Sequence, residues 1–285
     1  MSLRSSAWKS GVALGVSLLA LNAALAQPAK APLAPAQSEF TPEVGQPGKD
    51  VVWVPTAQTL VNKLLDMAQV TAKDTLYDLG SGDGRTVITA AKRGALAYGI
   101  EYNPDMVELS RRNAAKEGVS DRATFEKADI FQSDFSKATV ITLFLLPSLN
   151  VKLRPTLLNM KAGTRVAANS FDMGDWKPDQ SARVEGDCSS WCTAYLWIVP
   201  AKVEGSWKLA HGELALTQQY QVISGTLHVG EKSAAISNGK LDGERISFSV
   251  GSAQYSGHVN GNGVIMEGVM TIGAVKTPWN ATRGK

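Results

Sequence analysis

From about residue 50 to 200, hydrophobic positions recur with two alternating periods. In "TAQTLVNKLLDMAQV" (56–70), Leu60, Val61, Leu64, Leu65 and Ala68 fall on one stripe at helical spacing. "TLYDL" is a short apolar strand, "GRTVITAAKRG" a helix stopped by Gly94, and "ALAYGIE" a second strand. "NPDMVELSRRNAAKEG" predicts a helix with Asn103 as N-cap and Pro104 at its first position. "ATFEKADI", "ATVITLFLL" and "TRVAANSF" read as further strands; "SLNVKLRPTLLNM" starts as a helix, with Pro155 marking a break or a new beginning. Strand–helix alternation at this spacing implies an α/β, Rossmann-like, mostly parallel sheet covered on both faces. "SARVEGDCSSWCTAYLWIVPA" (181–201) adds two strands, an antiparallel hairpin closing one sheet edge.

After about residue 203 the period becomes two. Turn signals such as "SNGK", "LDGE" and "VNGNG" recur about every ten positions. Some 80 residues of antiparallel meander predict a small all-β domain, either a sandwich or an up-and-down barrel. The expected organisation is therefore a segment 1–26, a linker 27–48, an α/β domain 49–202 and a β domain 203–285.

The first 26 residues read as a signal peptide. Arg4 and Lys9 precede the uncharged run "GVALGVSLLALNAALA", and Ala24-Leu25-Ala26 fits cleavage before Gln27. The run is shorter than the roughly 20 residues of a membrane span. An uncleaved anchor is the alternative, and either reading places the rest outside the cytoplasm, as in a periplasm. With the signal removed, no integral membrane segment is expected. Residues 27–48 carry Pro28, Pro32, Pro35, Pro42 and Pro47 and read as an extended tether.

Composition changes this picture little. A formal net charge of +3 on 285 residues does not suggest a nucleic-acid partner. Cys188 and Cys192 suggest a bridge in an exported chain, or else two buried thiols. A continuous strand would hold them about 13 Å apart, so a bridge requires a turn at Ser189-Ser190. Two cysteines are not a zinc site, and no metal is expected; His211, His228 and His258 all fall in the meander.

The chemistry concentrates in "DLGSGDGR". Gly80, Gly82 and Gly84 follow Asp78 at a strand end, and Arg85 stands where a G-x-G-x-x-G fingerprint needs its last glycine. That spacing argues against a nicotinamide or flavin oxidoreductase. Glycines allow a tight turn and close approach of a ligand to the helix N-terminus that follows. Glu101 ends the next strand in "YGIEYNP", where a carboxylate can accept two hydrogen bonds from a ribose diol. Asp129 ends the third strand in "EKADIF", suited to an adenine amino group. Three acids on successive strand ends mark a nucleoside-bearing cofactor.

This constellation resembles the class I (seven-strand) S-adenosylmethionine-dependent methyltransferases over roughly residues 50–200. "WVPT", "YDLGSGDGR", "FLLPSLN" and "FDMGDW" narrow the resemblance to the lysine methyltransferases that include mitochondrial enzymes acting on the ATP synthase c-subunit and the adenine nucleotide translocase. The resemblance implies S-adenosyl-L-methionine as cofactor, held at Asp78, Gly80, Gly82, Glu101 and Asp129, with Val54, Pro55 and Thr56 near its methionine end. Ser81, Asp83 and Ile130 join the set of expected cofactor-binding residues. Where a histidine is expected shortly before "FDM", this chain has Asn169.

Methyl transfer asks mainly for alignment, because the sulfonium already activates the methyl group. A lysine acceptor must also lose a proton, since its amine is almost wholly charged at pH 7. Candidate groups for the acceptor side are Ser148, Asn150, Asp172 and Trp176, the last by cation–π contact; cap and packing roles are the alternative. The expected function is methyl transfer to a protein lysine, on a protein substrate that one reading places at a membrane. The alternative is an exported, non-catalytic S-adenosylmethionine- or ligand-binding protein that reuses the fold.

Overall fold

A computed structural model describes residues 40–284; segment 1–26 and most of the tether lie outside the described residues. The first part carries α1 (Gln58–Met67), β1 (Thr75–Leu79), α2 (Arg85–Lys92), β2 (Leu96–Glu101), α3 (Pro104–Lys116), β3 (Ala123–Lys127) and β4 (Val140–Leu143). There follow α4 (Pro147–Leu158), β5 (Arg165–Asn169), β6 (Gln180–Arg183) and β7 (Thr193–Ile198). The seven strands form one sheet in the order β3-β2-β1-β4-β5-β7-β6. The first five run parallel, and β7 pairs antiparallel with both β5 and β6, so the hairpin occupies the sheet edge.

Alternation along each strand fills two cores. Leu76, Ala97, Val140, Ala167 and Leu196 face α1, α2 and α3, whose stripes bury Leu60, Leu64, Val87 and Val107. Leu79, Ile141, Leu143, Val166 and Trp197 face the other way, against Leu153 and Leu157 of α4. At about 25 cal/mol per Å², burial of these side chains is the dominant favourable contribution to folding. Helix α4 continues through Pro155 rather than breaking there. The proline removes only the hydrogen bond to the carbonyl of Val151, a residue that is itself exposed.

The rest of the chain is a closed barrel. Its strands are β8 (Gly205–Leu209), β9 (Gly212–Gln219), β10 (Val222–Val229), β11 (Lys232–Ala235) and β12 (Ser237–Asp242), then β13 (Arg245–Val250), β14 (Ala253–Val259), β15 (Ile265–Ile272) and β16 (Val275–Arg283). Eight of them close the circle through the pairs β9–β10 and β16–β8, and β11 lies beside the far half of β10. Trp207, Phe248, Tyr255, Met266 and Trp279 fill its interior. The sandwich alternative is thereby set aside. His228 meets Ser233 and His258 meets Glu244 on this barrel.

Barrel and α/β domain join through Trp176. Its indole Nε1 donates to Gln221 Oε1 at 3.0 Å, while its carbonyl accepts from Trp197 Nε1 at 2.8 Å. Tyr220 stacks on the same ring and donates to Asp175. Ala201 N reaches the Gly243 carbonyl beside Gly163, which precedes β5. The barrel therefore sits toward the amino ends of the parallel strands, opposite their carboxyl ends.

Candidate functional site

The carboxyl ends of β1, β2, β4 and β5 open into one cleft at the point where strand order reverses, between β1 and β4. Open α/β sheets bind ligands at that point because helix N-termini and free strand ends converge there. The turn between β1 and α2 forms its floor. Gly84 caps α2 with φ of 83°, and a Cβ there would lie 2.8 Å from Phe125. Gly82 has φ of 55°, with Trp53 Nε1 2.8 Å from where its Cβ would be. Both positions thus admit glycine alone without a shift of neighbours. From α3, Ser110 donates to the Gly82 carbonyl and Asn113 to that of Asp83, which fixes the turn from behind.

Asp78, Thr142 and Asn169 end adjacent strands on the same face and are all buried. Thr142 Oγ1 donates to Asp78 Oδ1 at 2.7 Å. Burial, reinforced by the negative charges of Glu101 and Asp83, pushes the Asp78 carboxyl up to about 7, against the lowering effect of the Thr142 bond. Glu101 holds the turn directly: its Oε2 accepts from Gly82 N at 2.9 Å and its Oε1 from Asn103 N at 2.9 Å. Asp129 lies two residues past the end of β3. It accepts from Phe131 N and from Lys49 Nζ, and the Lys49 bond holds its carboxyl below the usual range.

All eleven residues expected at the cofactor line this cleft: Val54, Pro55, Thr56, Asp78, Gly80, Ser81, Gly82, Asp83, Glu101, Asp129 and Ile130. Asp83 has an additional structural duty, because both of its oxygens bind Arg85, whose Nη1 in turn donates to the Thr56 carbonyl. Arg85, where a dinucleotide fingerprint has glycine, is thus the clasp between the turn and the N-terminal segment. That segment reaches further than its tether-like composition suggests. Gln46, Pro47 and Gly48 line the cleft, and a tight turn held by Gly45 N to the Trp53 carbonyl carries Lys49 and Trp53 over it.

The four candidates for the acceptor side do not line the cleft. Trp176 is fully buried at the junction described above, too far into the core to meet a substrate. Asn150 is buried and donates to the carbonyls of Phe171 and Asp172, so its role is to hold the loop after β5. Ser148 and Asp172 are exposed, and Asp172 caps the turn at Gly174 N. In their place the structure brings Thr142, Phe144, Asn169, Phe171 and Trp191 to the wall beyond β4 and β5. Thr142 had a sequence signal, a polar residue within the apolar run "VITLFLL". Trp191 had none beyond its place between two cysteines. Among the described residues none after Trp191 lines the cleft, and the barrel histidines are not part of its lining.

Fold and cleft together define a Rossmann-like α/β protein with a nucleoside-cofactor site. Residues 78–180 match the family described as ANTKMT methyltransferase domain. The protein-lysine N-methyltransferase of Saccharolobus islandicus (strain REY15A) is 40% identical over 152 residues, which cover 52% of this chain and 94% of that protein. The ATP synthase c-subunit lysine N-methyltransferase of Rattus norvegicus is 36% identical over 130 residues, 45% of this chain and 60% of its own length. A crystal structure described as an RNA methyltransferase from Salinibacter ruber, in complex with S-adenosyl-L-homocysteine, is 47% identical, with a TM-score of 0.49 over 53% of this chain and 96% of that one. The chain belongs to the family of protein-lysine N-methyltransferases, enzymes of the S-adenosylmethionine-dependent methyltransferase class. These matches reach about half of the chain.

The residues present fit that cofactor. Gly80 and Gly82 leave backbone bare beside the carboxylates of Glu101 and Asp129, which suits a nucleoside with its hydroxyl and amino donors; Ser81 Oγ, without a hydrogen-bond partner among the described residues, packs against Gly99 and Phe125 behind the turn. Of the other buried oxygens without a partner among the described residues, Asn150 Oδ1 lies away from the cleft, and Asn169 Oδ1 lies in its wall at the end of β5, where it marks a place for a polar group of a ligand.

Proposed function

We propose that this protein transfers a methyl group from S-adenosyl-L-methionine to lysine side chains of a protein substrate. The observation that supports this most is the row of acids on successive strand ends around one glycine turn, opposite a wall of aromatic and amide groups. Glu101 would accept the ribose hydroxyls and Asp129 the adenine amino group, with Gly80 and Gly82 giving the cofactor access to backbone. The bound cofactor supplies an electrophilic methyl on a sulfonium. Asp78, Thr142 and Thr56 would orient its amino-acid end, and the aromatic wall would exclude water from the acceptor nitrogen. This chain's part would be to hold an acceptor amine in line with that methyl, with the cleft mouth as the route by which the amine's proton would reach solvent.

A nucleic-acid acceptor is disfavoured by a formal net charge of only +3. Tritiated S-adenosylmethionine, incubated with the protein and an extract of source cells lacking it, tests the reading. Label recovered as methyl-lysine after hydrolysis, and absent with Glu101→Ala, is the expected result; label confined to RNA would contradict it.

The site should respond to pH through Asp78. Its folded pKa of about 7 stands above the ordinary carboxylate value, so the ligand-free protein loses stability as pH rises from about 4 through 7. A cationic cofactor prefers the ionised form. Its affinity should therefore climb up to about tenfold per unit below pH 7 and level off above it. Titrations between pH 5.5 and 8.5, roughly spanning that range, check this, and Asp78→Asn should abolish the slope.

An exported location is part of the same proposal. It rests on residues 1–26, and the Cys188–Cys192 bridge supports it, since such bonds persist in oxidising compartments. A periplasm-active reporter fused after residue 40 should be active; a reporter active only in the cytoplasm would overturn the location.

A further inference from the structure

Beyond excluding water, the far wall of the cleft has features that the cofactor does not use. The order of strand ends is also an order across the site. Glu101 ends β2 and Asp129 follows β3, on one side of β1; Phe144 follows β4 and Asn169 ends β5, on the other. On that second side three aromatic rings meet. Phe144 stacks with Phe171 at a centroid distance of 6.0 Å and stands at 6.2 Å from Trp191. Phe144 and Phe171 are half-buried, whereas Trp191 is 47% exposed and lies at the mouth. Beside them the Asn169 amide is 1% exposed. It turns Nδ2 to Thr56 Oγ1, and its Oδ1 has no partner among the described residues.

The position of Trp191 is built rather than accidental. Its φ of 53° is a left-handed conformation that an aromatic residue seldom adopts. The Cys188–Cys192 bridge, with Cα atoms 5.8 Å apart, closes the loop around it. Val184 N to the Cys192 carbonyl and Thr59 Oγ1 to Asp187 anchor that loop to β6 and α1. Strained backbone that is held from several sides is typical of a ligand clamp.

We propose that Phe144, Phe171 and Trp191 form the collar through which the acceptor lysine enters, with Asn169 Oδ1 receiving a hydrogen bond from its amine. Trp191 is then a specificity-determining residue, locked over the mouth by the disulfide. The inference rests on the methyltransferase reading above. Aromatic faces attract a cationic or partly cationic amine and shield its alkyl stem, and a neutral amide oxygen can align the nitrogen without taking its proton.

The test needs no knowledge of the acceptor protein. Three probes are titrated into the full chain: S-adenosylhomocysteine, an aza-analogue of the cofactor with an n-alkyl arm in place of the transferable methyl, and the same analogue with a secondary amine where the lysine nitrogen would lie. The amine probe should bind about tenfold more tightly than S-adenosylhomocysteine. Trp191→Ala and Cys188→Ser/Cys192→Ser should lose most of that gain while S-adenosylhomocysteine still binds, which also reports that the variants are folded. Trp191→Phe should restore it, and Asn169→Ala should remove the preference for the amine over the alkyl arm. An equal gain in Trp191→Ala, or no gain in the wild type, overturns the collar alone. Failure of S-adenosylhomocysteine itself to bind overturns the methyltransferase reading and the collar with it.

Discussion

Trp176→Ala is expected to lower the free energy of unfolding by about 3–5 kcal/mol, the usual range for deleting a buried large aromatic. The ring is fully buried between Trp197 and Tyr220, with centroid distances of 6.1 and 6.0 Å. Its indole N–H is the partner of Gln221 Oε1, so the alanine variant loses ring volume and leaves a buried acceptor without its donor. Because Gln221 belongs to the turn before β10, the loss should also loosen the barrel from the α/β domain. Urea unfolding followed by fluorescence and by far-ultraviolet circular dichroism measures the effect. Two separated transitions in the variant would show that the junction couples the domains. The folded fraction should keep its affinity for S-adenosylhomocysteine, because Trp176 does not reach the cleft. A large loss of affinity in fully folded protein would return Trp176 to the acceptor side.

The second large effect is expected at Glu101. Its two oxygens hold Gly82 N and Asn103 N, which fix the shape of the glycine turn even before a ligand arrives. Glu101→Ala removes the acceptor of a buried backbone N–H and the carboxylate proposed to take the ribose hydroxyls. Charge-assisted bonds of this kind contribute about 1.5–3 kcal/mol, so cofactor affinity should fall by roughly ten- to more than a hundredfold. Glu101→Gln keeps one oxygen and should lose less. Calorimetric titration separates the two variants, and thermal melts of the ligand-free proteins report how much of the loss belongs to the turn itself. An affinity unchanged in Glu101→Ala would remove Glu101 from the site.

Much of this was legible in the sequence because the α/β domain obeys its periods closely. Buried strands such as "TLYDL" and "ATVITLFLL" alternate with amphipathic helices, and the parallel topology follows from that alternation. The acids and glycines of the cleft were legible for a related reason: they sit at strand ends, which the pattern locates. What stayed hidden depends on long-range geometry. Residues 45–53 have no period, so nothing local tells that Lys49 and Trp53 fold over the cleft. Trp176 and Trp191 are both aromatic residues in loops after β5, and only tertiary packing sends one to the core and the other to the mouth. The barrel was ambiguous with a sandwich because closure depends on the pairing of β9 with β10 and β16 with β8, strands whose partners turn signals do not specify. Pro155 misleads in the opposite direction, since a proline late in a helix facing solvent forfeits only one bond.

The measurement that bears most directly on the whole account is calorimetric titration of the purified protein with S-adenosylmethionine, with Glu101→Ala as control. Saturable one-to-one binding in the micromolar range is expected, weakened by the substitution roughly ten- to more than a hundredfold. A well-folded wild-type protein that takes up no S-adenosylmethionine would contradict it.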